Sequence, residues 1–185
     1  MSQIPQLQII DGGLAKEFHI AGITLMISPP DRAPFSIDAR VREEDTYLLL
    51  DEETFIRDPR QDIQGLTESV KNFEPLKPGK LFRLGGSPMQ LVAIVYDVEQ
   101  DPLCREEWID AVLNELLEHC ERNQFHAIAL PLLGLRHGHF APQRFLLRLT
   151  EALYARPHPH LHKIWLSVPR SQLAETHRWL SLLGH

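Results

Sequence analysis

The sequence predicts an α/β fold, a three-layer α/β/α arrangement around a mixed central sheet, and three observations lead there. From residue 79 onward, short apolar runs suited to buried strands alternate with segments whose apolar residues recur every three or four positions. Parallel neighbours need crossover connections of that kind, which place helices on the faces of a sheet. Residues 1–78 read instead as short strands and turns, which would extend the sheet in a mixed sense. With 185 residues, 43% apolar and 24% charged, the chain fits one domain over 1–185 with a substantial core.

Taken in order, Leu7 to Ile10, Asp11-Gly12-Gly13 and Glu17 to Ile20 suggest a hairpin, because Asp-Gly and Gly-Gly supply positive φ angles. Ile23 to Ile27 continues as a strand until Pro29-Pro30 stops it. Ser36 to Val41 is weakly strand-like, and the compact run Tyr47-Leu48-Leu49-Leu50 suits a buried strand closed by Asp51-Glu52-Glu53. Residues 57–80 suggest an irregular connection with a short helix around Leu66 to Phe73. Gln90 to Tyr96 is nearly continuous apolar sequence, as expected of a strand covered on both faces. Glu106 to Arg122 predicts a helix whose buried stripe is Ile109, Val112, Leu113, Leu116, Leu117 and Cys120. Ala127 to Pro131 predicts a short buried strand. Pro142 opens a helix with Phe145, Leu146, Leu149, Ala152 and Leu153 inward. Lys163 to Val168 predicts a strand, and Ser171 to Leu183 a helix with Leu173, Ala174, His177, Leu180 and Leu183 facing inward.

Charge and motifs narrow the function classes. A net charge of −6 offers no basic footprint, so free nucleic acid is not an expected partner. Met1-Ser2-Gln3-Ile4-Pro5 lacks the basic head and apolar core of a signal peptide, and no apolar run approaches membrane-spanning length. The expectation is a cytoplasmic protein without a membrane partner. Cys104 and Cys120 make no disulfide framework; Cys120 reads as a buried thiol, while Cys104 sits near a helix start that could lower its pKa. No Gly-x-Ser-x-Gly elbow, Walker A sequence, Rossmann fingerprint or Cys-x-x-Cys pair occurs, and no cofactor is expected.

The junction after Pro131 is the leading site candidate. Leu132-Leu133-Gly134-Leu135-Arg136-His137-Gly138-His139-Phe140 runs into the helix opened by Ala141-Pro142. Two glycines before a helix start gather unpaired N–H groups around a concavity, which suits phosphate. Gly134, Arg136, His137 and Gly138 would cradle it, with the amides of Leu135 and His139 as further donors. The alternative is a tight connection whose glycines serve only its dihedrals. Leu84-Gly85-Gly86-Ser87-Pro88 reads as a turn between strands.

Over residues 79–183 the chain resembles a macro domain, the α/β/α module that binds ADP-ribose and related nucleotides. The resemblance rests on Leu91-Val92-Ala93-Ile94-Val95, the helix after Trp108, His126-Ala127-Ile128-Ala129-Leu130-Pro131-Leu132-Leu133-Gly134, His137 and Gly138, Pro142, and Lys163-Ile164-Trp165-Leu166-Ser167-Val168-Pro169. It implies a phosphate-bearing nucleotide such as ADP-ribose as the small-molecule ligand. Where many macro domains have Thr-Gly after Pro-Leu-Leu-Gly, this chain has Leu135-Arg136. Where they carry an Asn-Ala-Ala-Asn segment, the nearest counterpart is Glu44 to Glu53, which has neither asparagines nor glycines. Removal of ADP-ribose by hydrolysis is therefore disfavoured, and no catalytic residue is identified.

The expectation is a diverged nucleotide-binding cleft without catalysis. The alternatives are a silent interaction module with a closed cleft, or a hydrolase of phosphate esters or ADP-ribose derivatives. Trp108, Trp165, Trp179 and Leu182-Leu183 could supply an apolar patch for a partner protein or a homo-oligomer, although core packing explains them more simply. His158, His160 and His162 alternate in a way a Zn²⁺ or Ni²⁺ ion could use, but solvated loop histidines past a helix end are the simpler reading and no metal site is assigned. His126 and His177 read as partly buried. Glu43, Glu44, Asp45, Asp51, Glu52 and Glu53 could supply a carboxylate pair, but charge runs beside a strand are ordinarily solvated.

Overall fold

The computed structural model describes residues 16–50, 75–138 and 140–183. Its strands are β1 (Lys16–Ile20), β2 (Ile23–Ser28), β3 (Ala39–Asp45), β4 (Lys80–Gly85), β5 (Met89–Tyr96), β6 (Ala127–Pro131) and β7 (Lys163–Ser167). Its helices are α1 (Glu106–Arg122), α2 (Leu135–Gly138), α3 (Pro142–Tyr154) and α4 (Leu173–Leu183), the last preceded by a 3₁₀ turn at Arg170–Gln172. One mixed sheet runs β1-β2-β7-β6-β3-β5-β4. Its interior pairs are parallel, and the pairs β1–β2 and β4–β5 at its margins are antiparallel.

The parallel centre forms because β5, β6 and β7 are apolar on both faces and leave no polar side to expose. The chain steps from β5 to β6 to β7 in one direction across the sheet, so right-handed crossovers place α1 and α3 on the same face. Accordingly α1 packs against α3 and α3 against α4. The α1 stripe buries the six residues expected of it, and α3 buries Phe145, Leu146, Leu149 and Leu153. In α4 the inward residues are Thr176 and Leu180, with Leu173, Trp179 and Leu183 partly buried, while Ala174 is exposed. His177 is partly covered and packs against Phe18 with ring centroids 5.9 Å apart.

One N-terminal expectation is corrected, and another lies outside the described residues. The hairpin within the described residues is β1–β2, turning at Ala21-Gly22 with φ of 51° and 81°, a pairing of positive angles that matches the twist of the flanking strands; residues 7–13 lie outside the described residues. Tyr47-Leu48-Leu49-Leu50 is not a buried strand. Both oxygens of the Asp45 carboxylate accept backbone N–H groups, from Tyr47 at 2.6 Å and Leu49 at 2.9 Å, which folds the run into a turn and leaves Leu49 52% exposed. The strand that precedes this turn, β3, occupies the middle of the sheet. Residues 51–53 and the helix expected at 66–73 lie outside the described residues.

At its start β3 is pinned to β6. The Asp38 carboxylate accepts the N–H groups of His126 at 2.6 Å and Ala127 at 3.0 Å, and the Asp38 N–H donates to the Ala127 carbonyl. Asp38→Ala is expected to cost about 1–2 kcal/mol, since two amides lose a charged acceptor at an exposed position where water replaces part of the loss; urea unfolding of both proteins measures it.

Candidate functional site

After Ala39 and Arg40, which pair with Ile128 and Ala129, β3 and β6 share no further ladder positions. The connection leaving β3 returns to β4 and β5, and the one leaving β6 leads to β7 on the other side. Open α/β sheets form a crevice where connections diverge in this way, at the carboxyl ends of the strands. The candidate loop follows β6 at that end of the sheet.

Gly134 opens the loop with φ +84°, a conformation that only glycine adopts without cost, and a Cβ built there would lie 2.9 Å from Phe140 Cβ and 3.0 Å from Cys104 Sγ. The Phe140 N–H closes the segment on the Gly134 carbonyl at 3.1 Å, and residues 135–138 form the single turn α2. The amide of Gly134 does not face an open hollow. It donates to Glu43 Oε2 at 2.9 Å. The same oxygen accepts the Tyr96 hydroxyl at 2.9 Å, and the His137 N–H reaches that hydroxyl oxygen at 3.4 Å. Leu135 donates to the Leu132 carbonyl at 3.4 Å. The loop thus holds an anion supplied by the chain itself.

Glu43 comes from β3, Tyr96 from the end of β5 and Gly134 from the loop after β6. Neighbouring strands in the sheet bring them together. The Glu43 residue is partly covered as a whole while its carboxyl group is enclosed, and burial pushes its pKa up to about 7 against the opposing pull of the Gly134 amide, the Tyr96 hydroxyl and the Arg136 charge. Tyr96 is held above the ordinary tyrosine range by burial and by the Glu43 charge. Burial, with Glu43 nearby, pushes the Cys104 thiol up to about 12, so the expected lowering near a helix start is reversed. Cys104 is 5% exposed and Cys120 is fully buried; both are free thiols.

Arg136 is exposed. The His137 ring packs edge-on to Tyr96 with centroids 5.6 Å apart, and its pKa is lowered by burial and by Arg136, so it is neutral near pH 7. Its buried Nε2 has no hydrogen-bond partner among the described residues. Gly138 ends α2, and His139 lies outside the described residues.

The carboxylates at the end of β3 are not the solvated run expected. Glu44 is 1% and Asp45 0% exposed, and Glu44 accepts the Leu50 N–H at 3.1 Å. Sequence reasoning misplaced their strand and so missed Glu43 and Tyr96 as neighbours of the loop. One signal was present: Ala39, Val41 and Glu43 alternate onto a single face.

Of the other histidines, His158 and His160 both face Glu121, with Nδ1 atoms at 3.8 and 2.9 Å from its carboxylate, while His162 lies apart from them. His158 Nε2 lies 3.1 Å from the Leu153 carbonyl, and His162 stands beside the exposed His126. No metal-holding group of three or more His, Cys, Asp or Glu occurs among the described residues. Trp165 is fully buried, with Trp179 packed partly against the core. A separate groove of about 460 Å³ between β4 and α1 is lined by Lys80, Arg83, Arg122, Glu115 and Glu118 among others, and shares no residue with the crevice. No helix among the described residues is long and apolar enough to cross a membrane.

These features define an open-sheet α/β module with a switch point between β3 and β6. The particular fold is that of the macro domains. Among solved structures the chain is similar to a mutant Oceanobacillus iheyensis macrodomain with ADPR, at 14% identity over 91% of this chain and 98% of that one, with TM-score 0.68. It is similar to the macrodomain of the same organism with ADP at 15% identity over 91% and 96%, TM-score 0.68. The macrodomain of Thermus aquaticus DarG matches at 19% identity over 78% and 98%, TM-score 0.56. No family model and no curated sequence matches. The likeness reaches beyond residues 79–183 because β1, β2 and β3 belong to the same sheet.

Proposed function

We propose that the chain is a macro-domain-like module, a single domain over 1–185, that binds a phosphate-bearing nucleotide of the ADP-ribose class in the crevice between β3 and β6 without chemical turnover. The observation that carries this reading is the Gly134 amide gripping a carboxylate at 2.9 Å: the loop already works as an anion holder. Neighbours of the same fold with ADPR and ADP support the class of ligand. In this reading the segment Gly134 to His139 supplies the cradle, and the exposed guanidinium of Arg136 supplies a cation at the rim. Turnover is set aside because the nearest counterpart of the asparagine-bearing segment, Glu44 to Glu53, has no asparagines or glycines.

Calorimetric titration with ADP-ribose at pH 6 is the test. One-to-one binding is expected, weakened about tenfold in Arg136→Ala through loss of a charge-assisted contact. Absence of heat and of any thermal shift at millimolar ligand would overturn the proposal. The engaged amides favour a second reading in that event, a silent interaction module whose cleft stays shut.

A further inference from the structure

We propose that Glu43 is a proton-dependent gate on this cleft: a ligand phosphate takes the Gly134 amide only when Glu43 carries a proton, and the carboxylic acid then donates that proton in a hydrogen bond to the phosphate. The inference rests on the nucleotide-binding reading above and assigns Glu43 a role in affinity and in selection among anions.

Geometry carries it. The carboxylate and an incoming phosphate compete for one N–H, so the two acceptors must stand in contact at the same spot. Two anions that close inside a partly desolvated crevice repel, and the repulsion is relieved by taking up a proton from solvent. Glu43 is poorly placed to escape instead, because it projects from the central strand and its carboxyl is held from a second side by the Tyr96 hydroxyl. Once protonated, it changes from a competitor into a donor, and the Tyr96 hydroxyl keeps it in place.

The charged and titratable groups around it come from each surrounding element. On β3 these are Glu44 and Asp45, on β5 Tyr96, before α1 Cys104, and on α2 Arg136 and His137. Tyr96 and Cys104 stay protonated across the neutral range, and His137 is driven toward its neutral form. Glu43, with a pKa pushed up to about 7, changes protonation in that range.

ADP-ribose suits the test because its diphosphate is a diester and keeps a constant charge from pH 6 to 8. Dissociation constants are measured by calorimetry over that range, in buffers of different ionisation enthalpy, for the wild type, Glu43→Gln and Glu43→Ala. The wild type is expected to bind about tenfold more weakly at pH 8 than at pH 6, with net proton uptake that grows with pH. Glu43→Gln is expected to bind more tightly than the wild type at pH 8 and to lose both the slope and the uptake; Glu43→Ala does the same if the glutamine variant folds poorly.

A flat wild-type profile overturns the gate. So does an inverted profile with proton release, which would mean that the side chain swings out to solvent ionised. A slope that survives in both variants overturns it too and assigns the proton to another group. Binding by none of the proteins at any pH sinks the nucleotide reading itself, and that result is distinct from binding without a slope.

Discussion

Gly134→Ala is expected to destabilise the protein by about 2–5 kcal/mol, a large fraction of the stability of an ordinary domain. Two costs add. An alanine at φ +84° pays about 1–2 kcal/mol for a left-handed conformation. Its methyl group also meets Phe140 Cβ and Cys104 Sγ at 2.9 and 3.0 Å, well inside contact distance, and overpacking of a tight site costs about 1–3 kcal/mol. The Phe140 contact is with an atom next to the backbone, which no change of rotamer moves aside. The double variant Gly134→Ala/Cys104→Ala is expected to recover only part of the steric cost and none of the conformational one. Chemical denaturation of the three proteins provides the numbers; a loss below about 0.5 kcal/mol would show that the loop opens freely and is not the rigid frame described.

Glu43 is expected to make stability depend on pH in a direction opposite to that of a salt-bridged carboxylate. Its pKa in the folded protein is about 7 against an ordinary value of 4.5. Below 4.5 the group is protonated in both folded and unfolded chains. Between 4.5 and 7 the folded state holds the proton and the unfolded state does not, so stability falls as pH rises, and above 7 the whole contribution is gone. The shift corresponds to about 3 kcal/mol over that interval. The comparison that isolates it is the stability difference between the wild type and Glu43→Gln at several pH values, because other titrations cancel. The variant should gain on the wild type by about 3 kcal/mol from pH 4.5 to 7.5. A constant difference would place the carboxyl in solvent.

The elements that were legible before any coordinates are those whose period leaves no choice. The α1 stripe from Ile109 to Cys120 and the two-faced apolar strands β5 and β6 fall in this group. The error at β3 has a physical cause. Arg40, Arg42, Glu43 and Glu44 make it read as polar, but in the fold the Arg40 guanidinium lies 5.0 Å over the Trp165 ring and the carboxylates find backbone or hydroxyl donors. Conversely, Tyr47 to Leu50 reads as apolar strand, yet Asp45 draws two of its amides into a turn with Leu48 at φ 59°. Local pattern reports how a side chain would like to be solvated; it is silent about a partner far along the chain. The candidate loop was legible from its glycines and following proline. Its occupant was not, because Glu43 and Gly134 are 91 positions apart.

The place of β3 in the sheet also has a kinetic consequence. Ala39 pairs with Met89 on one side and with Ile128 on the other, so both flanks of the middle strand are supplied by sequence made long afterwards. A chain growing from its N-terminus on a ribosome carries this segment without its neighbours until β6 has emerged, and the sheet closes around it late. Such long-range closure is slow, because loop entropy is lost before the distant contacts form.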